Sequence, residues 1–89
     1  MATCTVQGVR GELKHGYRVV ATLGPWTFST ETHRVVAEIA TKDDLWFDEP
    51  GPKTVRLRVG SEWWEWPVQP DLHGNGFSSV VAGAPRVRS

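Results

Sequence analysis

Residues 54–68 constrain the fold more than any other part of this sequence. They read Thr-Val-Arg-Leu-Arg-Val-Gly-Ser-Glu-Trp-Trp-Glu-Trp-Pro-Val. Apolar and polar residues alternate strictly before Gly60, and such alternation is typical of a half-buried β-strand. A two-residue loop that begins with glycine favours a type II′ turn. The stretch therefore predicts a β-hairpin that turns at Gly60 and Ser61.

The turn fixes which residues of this hairpin lie opposite each other. Leu57 is expected opposite Trp64, and Val55 opposite Trp66, which makes one face apolar. A slip of one residue would mix apolar and charged residues on both faces. Pro67 has no amide donor, so the second strand is expected to end there or to lie at a sheet edge. The apolar face is the predicted contribution of the hairpin to the core.

The other face of the hairpin is polar. The same register places Arg56 opposite Glu65 and Arg58 opposite Trp63. An ion pair and a cation–π contact of this kind are each worth from a few tenths to about 1 kcal/mol. The readings for Trp63 are an anchor at a protein interface, a stacking platform for a sugar, or a residue packed beside an arginine stem.

Two further segments are interpreted from the same patterns. A second hairpin is expected to turn at Gly24-Pro25, with Leu23 opposite Trp26. Residues 32–41 fit a strand by period two and a helix by period 3.6; the β-branched residues favour the strand, and a short helix near 30–41 stays open. Strands are also expected at residues 3–9 and 77–82, with a loop at 73–76.

Together these segments predict an all-β fold. Short strands separated by glycine and proline are typical of a small antiparallel sandwich or a partly open barrel, here with about six or seven strands. At 89 residues the chain has room for one domain. We expect that domain to span residues 1–85 and residues 86–89 to form a loose C-terminal tail.

The charge and cysteine content argue against several classes of function. Ten basic residues balance ten acidic ones, so no basic field is present to hold a nucleic acid backbone. A single cysteine, Cys4, allows no intrachain disulfide and no thiolate metal cluster. The beginning of the sequence lacks the pattern of a secretory signal, and no apolar run is long enough to span a membrane. Neither nucleic acid nor membrane is expected as a partner.

No arrangement of residues resembles a catalytic or metal site. The acidic residues around Leu45-Trp46-Phe47 do not follow the spacing of a calcium-binding loop. His15, His33 and His73 are far apart in sequence, and each is expected to be exposed in a loop because it lies beside turn-forming residues. No nucleophile motif and no glycine-rich phosphate loop is present. We therefore expect no catalytic residues, no cofactor and no metal, and a chain that is not an enzyme.

The tryptophans are the informative residues. Five indoles are many for a domain of this size to bury, so at least one is expected to meet a partner. The Trp46-Phe47 pair has the same alternative readings as Trp63. The sequence thus predicts an interaction surface with six members: Trp63, Arg56, Arg58, Glu65, Trp46 and Phe47.

A family resemblance adds a biological setting. Three features carry it: residues 1–8 (Met-Ala-Thr-Cys-Thr-Val-Gln-Gly), residues 50–59 (Pro-Gly-Pro-Lys-Thr-Val-Arg-Leu-Arg-Val), and a composition rich in Trp, Arg and Val but poor in Lys. They resemble small β-sandwich accessory proteins in the virions of tailed phages with actinobacterial hosts. The resemblance implies a minor tail, head-completion or decoration role. The high tryptophan content departs from a simple surface ornament and favours a docked or oligomeric face.

These observations lead to a functional expectation. The chain is expected to be a non-enzymatic structural or assembly protein of a phage virion, assembled in the host cytoplasm, with a cytoplasmic protein as the alternative. Its expected partners are copies of itself, as a homo-oligomer, or other virion proteins. Two other functions stay open: a carbohydrate-binding module that stacks a glycan on exposed tryptophans, and a small inhibitor of a host protein.

Overall fold

The computed structural model describes residues 5–42, 53–68, 71–73 and 76–88. Trp46, Phe47 and the acidic residues around them lie outside the described residues. The described strands are β1 (Thr5–Gly8), β2 (Gly11–His15), β3 (Arg18–Ser29), β4 (Arg34–Lys42), β5 (Lys53–Val59), β6 (Glu62–Val68), β7 (Asp71–His73), β8 (Gly76–Val80) and β9 (Arg86–Arg88). They form one antiparallel sheet in the order β7-β8-β4-β3-β2-β5-β6-β9, with β1 also pairing with β3. The predicted all-β antiparallel class is confirmed.

The predicted β5–β6 hairpin is present in the expected register. Leu57 pairs with Trp64, and Val55 pairs with Trp66. Gly60 has a φ of 63°, and no positive φ is found for Ser61, as a type II′ turn requires. Pro67 lies beyond the part of β6 that β9 covers, and no other described strand pairs with that side of β6, so its missing amide leaves no bond unmade within the described sheet.

A long hairpin that the sequence patterns do not predict organises the first half of the chain. β1 and β2 pair end to end along β3, and the numbers of partner residues add up to 34 from Thr5 to Leu13. The constant register shows that β1 and β2 are one strand interrupted at residues 9 and 10. The hairpin turns at residues 16 and 17, between His15 and Arg18.

The hairpin expected at Gly24-Pro25 is wrong, because β3 runs through these two residues without turning. On one side they face the interruption between β1 and β2. On the other side Leu23 pairs with Ile39 and Trp26 with Ala37, so the two residues form a bulge opposite Glu38. Pro25, which has no amide donor, therefore lies where neither neighbouring strand pairs with it.

The ambiguous segment is a strand. Within β4, Val35 and Ala37 are buried and Val36 is 48% exposed, which is the period-two pattern. Residues 30–33 form the turn between β3 and β4, and no helix occurs in the described ranges. The alternative of a short helix near 30–41 is therefore wrong.

The single sheet is rolled rather than flat. β8 and β9 are six strand spacings apart in the sheet order, which in a flat sheet is about 29 Å. Residues 81–85 join them, and a link of that length spans at most about 20 Å. The Phe28 ring in β3 also lies 4.9 Å from the Trp66 ring in β6, across the inside of the roll. Of the two predicted architectures, the partly open barrel describes this curl better than two separate sheets.

Both ends of the chain add strands. β1 falls within the segment expected at residues 3–9. β8 overlaps the segment expected at 77–82 but begins at Gly76, and the loop expected at 73–76 is wrong for His73 and Gly76, which belong to β7 and β8. The expectation of a loose tail is wrong for Arg86–Arg88, because β9 pairs with β6 from Trp63 to Glu65. The interruption between β1 and β2 and the three-residue strands β7 and β9 raise the strand count above the predicted number.

The rolled sheet encloses one hydrophobic core. Trp66 is 1% exposed and donates its indole hydrogen to the Gly83 carbonyl at 3.2 Å. The Val81 amide donates to the His33 carbonyl at 2.7 Å, which ties the crossing segment to the turn before β4. The buried apolar residues are Leu13, Val20, Ala21, Leu23, Trp26, Phe28, Val35, Ala37, Val55, Leu57, Trp66, Val68, Phe77 and Val81.

Candidate functional site: an arginine–tryptophan face

The polar face of the β5–β6 hairpin lies on the outside of the roll. Because side chains alternate along a strand, burying Val55 and Leu57 turns Arg56 and Arg58 outward. Strands β2 and β9 extend this surface on either side of the hairpin. We call it the arginine–tryptophan face, and its residues are Glu12, Arg56, Arg58, Trp63, Glu65 and Arg88.

Trp63 is the aromatic centre of this face. The Arg56 guanidinium lies 4.5 Å from the centroid of the indole, and the Arg58 guanidinium lies 5.4 Å from it. The register predicts the contact with Arg58, its direct partner; the diagonal neighbour Arg56 is closer. The Arg58 Nε also donates to the Gly60 carbonyl at 3.0 Å, which ties its side chain to the turn. Trp63 is thus held in one orientation on a partly buried surface.

A chain of alternating charges crosses four strands beside Trp63. Arg56 Nη1 donates to Glu12 Oε1, and Arg56 Nε lies 3.1 Å from Glu65 Oε1. Glu65 Oε2 in turn lies 2.6 Å from Arg88 Nε. The order Glu12, Arg56, Glu65, Arg88 places each charge next to one of opposite sign. The predicted pair of Arg56 with Glu65 is confirmed and is part of this longer chain.

The four charged side chains differ in their exposure and therefore in how much their contacts contribute to stability. The side chains of Glu12, Arg56 and Glu65 are 14–20% exposed, whereas that of Arg88 is 58% exposed. Arg56 Nε and Glu65 Oε2 are within ion-pair distance of their partners but make no well-aligned hydrogen bond. Their attraction is Coulombic, and the exposed Arg88 contact is worth at most about 1 kcal/mol.

The structure brings four of the six predicted surface residues together, Arg56, Arg58, Trp63 and Glu65. Glu12 and Arg88 were missed. The alternation of residues 11–15 indicates that Glu12 points away from Leu13, but nothing local shows that β2 lies beside β5. Arg88 lies in the predicted tail, where a three-residue strand leaves no periodic signal. Trp46 and Phe47 lie in the range that the structure does not describe.

A second outer surface is apolar. A groove of about 650 Å³ lies over β1, β3 and β4, and its lining includes Val9, Pro25, Thr27 and Val36. Val9 is 77% exposed and Val36 is 48% exposed. Exposed apolar side chains in one patch are common where proteins bind other molecules. The two outer surfaces therefore differ, one charged and aromatic and the other apolar.

The described residues contain no group of three or more histidine, cysteine or carboxylate side chains placed to hold a metal ion. Within the same residues, no helix is long and apolar enough to cross a membrane. His15 lies at the end of β2 and is partly buried, so it is not the exposed loop histidine that the sequence predicts; His33 is exposed in the turn before β4.

Searches of protein-family models, curated proteins and solved structures find no match for this chain.

Proposed function

We propose that this chain is a non-enzymatic assembly protein that binds other proteins through its arginine–tryptophan face. The observation that carries the proposal is the Trp63 ring with two guanidinium groups at 4.5 Å and 5.4 Å from its centroid. Tryptophan and arginine are the residues most enriched among those that dominate binding energy at protein interfaces. In this role the chain binds another protein through a surface and catalyses no reaction.

The ordered side chains support this role energetically. Binding a partner costs about 0.5–1.5 kcal/mol for each flexible side chain that becomes fixed. Here Arg56 contacts Glu12, Glu65 and Trp63 in the same chain, and Arg58 contacts Trp63 and Gly60. Much of that ordering has therefore already taken place before a partner arrives. A surface whose side chains are already ordered favours specific binding of one partner over nonspecific binding.

The same geometry favours a protein over a sugar as the ligand. A sugar ring stacks on an open indole face, and on Trp63 the guanidinium groups occupy part of that surface. The two glutamates of the face already contact arginines of the face, so Arg58 and the edge of the indole are the groups that a partner would contact first. A carboxylate or a backbone carbonyl of a protein is a suitable ligand for both groups.

We place this binding role in a phage virion, as a minor tail, head-completion or decoration protein. The virion setting rests on the sequence resemblance, and the binding surface rests on the geometry. Mass spectrometry of purified virions of the phage that carries this gene should find the chain at a fixed copy number. Absence from the purified particles would refute the virion role.

The surface is tested separately with matched variants. Trp63→Ala should release the chain from the particle or from its purified partner, because it removes the aromatic centre. Tyr17→Ala is the matched control, since Tyr17 is fully exposed in a turn and belongs to neither outer surface. Circular dichroism checks that both variants fold. Unchanged binding by folded Trp63→Ala would refute the assignment of the face, and binding of a soluble glycan that Trp63→Ala abolishes would favour the carbohydrate-binding alternative.

A further inference from the structure

The two ends of the sheet are complementary strands of equal length. β7 and β9 stand at opposite ends of the strand order, and each pairs on one side only among the described residues. β7 reads Asp-Leu-His and β9 reads Arg-Val-Arg. Each has an apolar residue in the middle, and the flanking residues include an acid in one strand and bases in the other. An edge strand offers unpaired backbone groups to another strand.

The β9 edge is accessible. All three of its residues are exposed, and Val87 in the middle is 48% exposed although it is apolar. Arg88 contacts Glu65, whereas Arg86 forms no ion pair with any residue in the described ranges. A small pocket of about 250 Å³ lies beside Arg86 and is lined by Thr54, Glu65 and Pro67 among others. A carboxylate that approached this edge would meet an arginine with no such partner.

We infer that the β7 edge of one copy of this chain pairs with the β9 edge of a second copy and so continues the sheet between molecules. This inference names a partner for the assembly role proposed above and rests on that role. In an antiparallel register that pairs position 72 with position 87, Asp71 is opposite Arg88 and diagonal to Arg86, and His73 is opposite Arg86. Antiparallel neighbours of this kind gain from apolar contact and from opposite charge.

The symmetry of this contact determines the type of assembly. Each copy uses two different edges, so the interface is heterologous and the copies join head to tail. Such contacts close into a ring or continue as a filament, according to the rotation between neighbours. Three residues form a short pairing, so we expect self-association to depend on protein concentration. The charge contribution should weaken as salt is added.

Charge reversal tests the pairing. Sedimentation velocity of the wild-type chain over a range of concentrations should show a mass that rises above the monomer. Asp71→Arg should weaken self-association at least tenfold, because bases then face bases. Arg86→Glu should weaken it as well, because it replaces a base by an acid at the position diagonal to Asp71. Arg10→Glu is the matched control; Arg10 is exposed and lies in the interruption between β1 and β2, away from both edges.

The decisive sample is a mixture of the two variants. Asp71→Arg and Arg86→Glu at equal amounts should assemble again, because each provides the edge that the other lacks, and restoration is expected only if the two edges pair with each other. A wild-type chain that stays monomeric, variants that associate like the wild type, or a mixture without recovery would each overturn the inference. If the chain stays monomeric but Trp63→Ala still loses its virion partner, the inference fails and the proposed function stands.

Discussion

Gly8→Ala is the substitution whose effect follows most directly from the geometry. Gly8 in β1 pairs with Trp26 in β3, and the indole lies against the glycine backbone. A Cβ at Gly8 would lie 2.6 Å from Trp26 Cε2 and 2.9 Å from Nε1, whereas ordinary carbon contacts are about 3.5–4.0 Å. Trp26 is 2% exposed and its Nε1 donates to the Arg10 carbonyl at 2.8 Å. The indole cannot retreat without straining the core or this hydrogen bond.

The expected cost is about 1–3 kcal/mol, the usual range for an extra methyl group in a packed core. A second glycine in the neighbouring strand supplies the control. A Cβ at Gly24 would meet its nearest atoms at 3.8 Å, and its φ is not in the positive region. Gly24→Ala should therefore change stability by less than about 1 kcal/mol, and it should stabilise if anything, because alanine restricts the unfolded chain.

Urea unfolding followed by tryptophan fluorescence measures both variants. A difference of about 2 kcal/mol between them corresponds to roughly 8–16 °C in Tm for a domain of this size. Equal midpoints for Gly8→Ala and Gly24→Ala would refute the close approach of the indole to β1. Gly8→Ala should also cost less in a Trp26→Phe background, because the smaller ring leaves space for the methyl group. A cost that stays the same in that background would contradict the contact between these two residues.

Three further predictions concern the hairpin and its charges. Glu65→Gln should destabilise the domain by about 1 kcal/mol at low ionic strength, because it removes the charge that links Arg56 and Arg88. The loss of stability relative to the wild type should shrink in high salt. Equal urea midpoints for the variant and the wild type at low salt would contradict this prediction. Trp66→Ala should lower the free energy of unfolding by about 3–5 kcal/mol and Trp66→Phe by clearly less, since the phenyl ring still fills most of the buried site. Similar losses for the two variants in urea unfolding would contradict this prediction and show that the site collapses around the smaller side chain. Gly60→Ala should cost about 1–2 kcal/mol in thermal unfolding, because its φ of 63° is strained for alanine, whereas Ser61→Ala should have little effect.

The features that the sequence predicts correctly are those set by neighbours along the chain. The β5–β6 register follows from strict alternation and one two-residue turn, and both signals lie within residues 54–68. The strand at residues 34–42 follows in the same way, since Val35 and Ala37 share the buried face. In both cases a local period determines which side chains enter the core.

The incorrect predictions come from contacts between segments that are distant in sequence. Gly24-Pro25 has the composition of a turn, but the interruption in the β1–β2 strand and the bulge opposite Glu38 accept it within a strand. Residues 86–88 carry no periodic signal, and they become ordered because β6 offers them an open edge. Glu12 reaches Arg56 only because β2 lies beside β5. The order of strands in a rolled sheet is not encoded locally, so these contacts could not be read from the sequence.

The position of Trp63 on the outer face is a consequence of the core. Three tryptophans lie within four residues of β6, and the pleat sends Trp63 to one face and Trp64 and Trp66 to the other. A one-residue slip of β6 would bury Trp63 but would expose both Trp64 and Trp66 in exchange. It would also oppose the arginines of β5 to apolar residues and break the contact of Arg56 with Glu65. Burial of one large apolar side chain is worth about 1.5–3 kcal/mol, so the exchange of two inward-facing tryptophans for one loses burial as well as the charge contacts. The same residues that hold the roll together therefore fix the orientation of the binding surface, and core variants such as Trp66→Ala should weaken partner binding as well as stability.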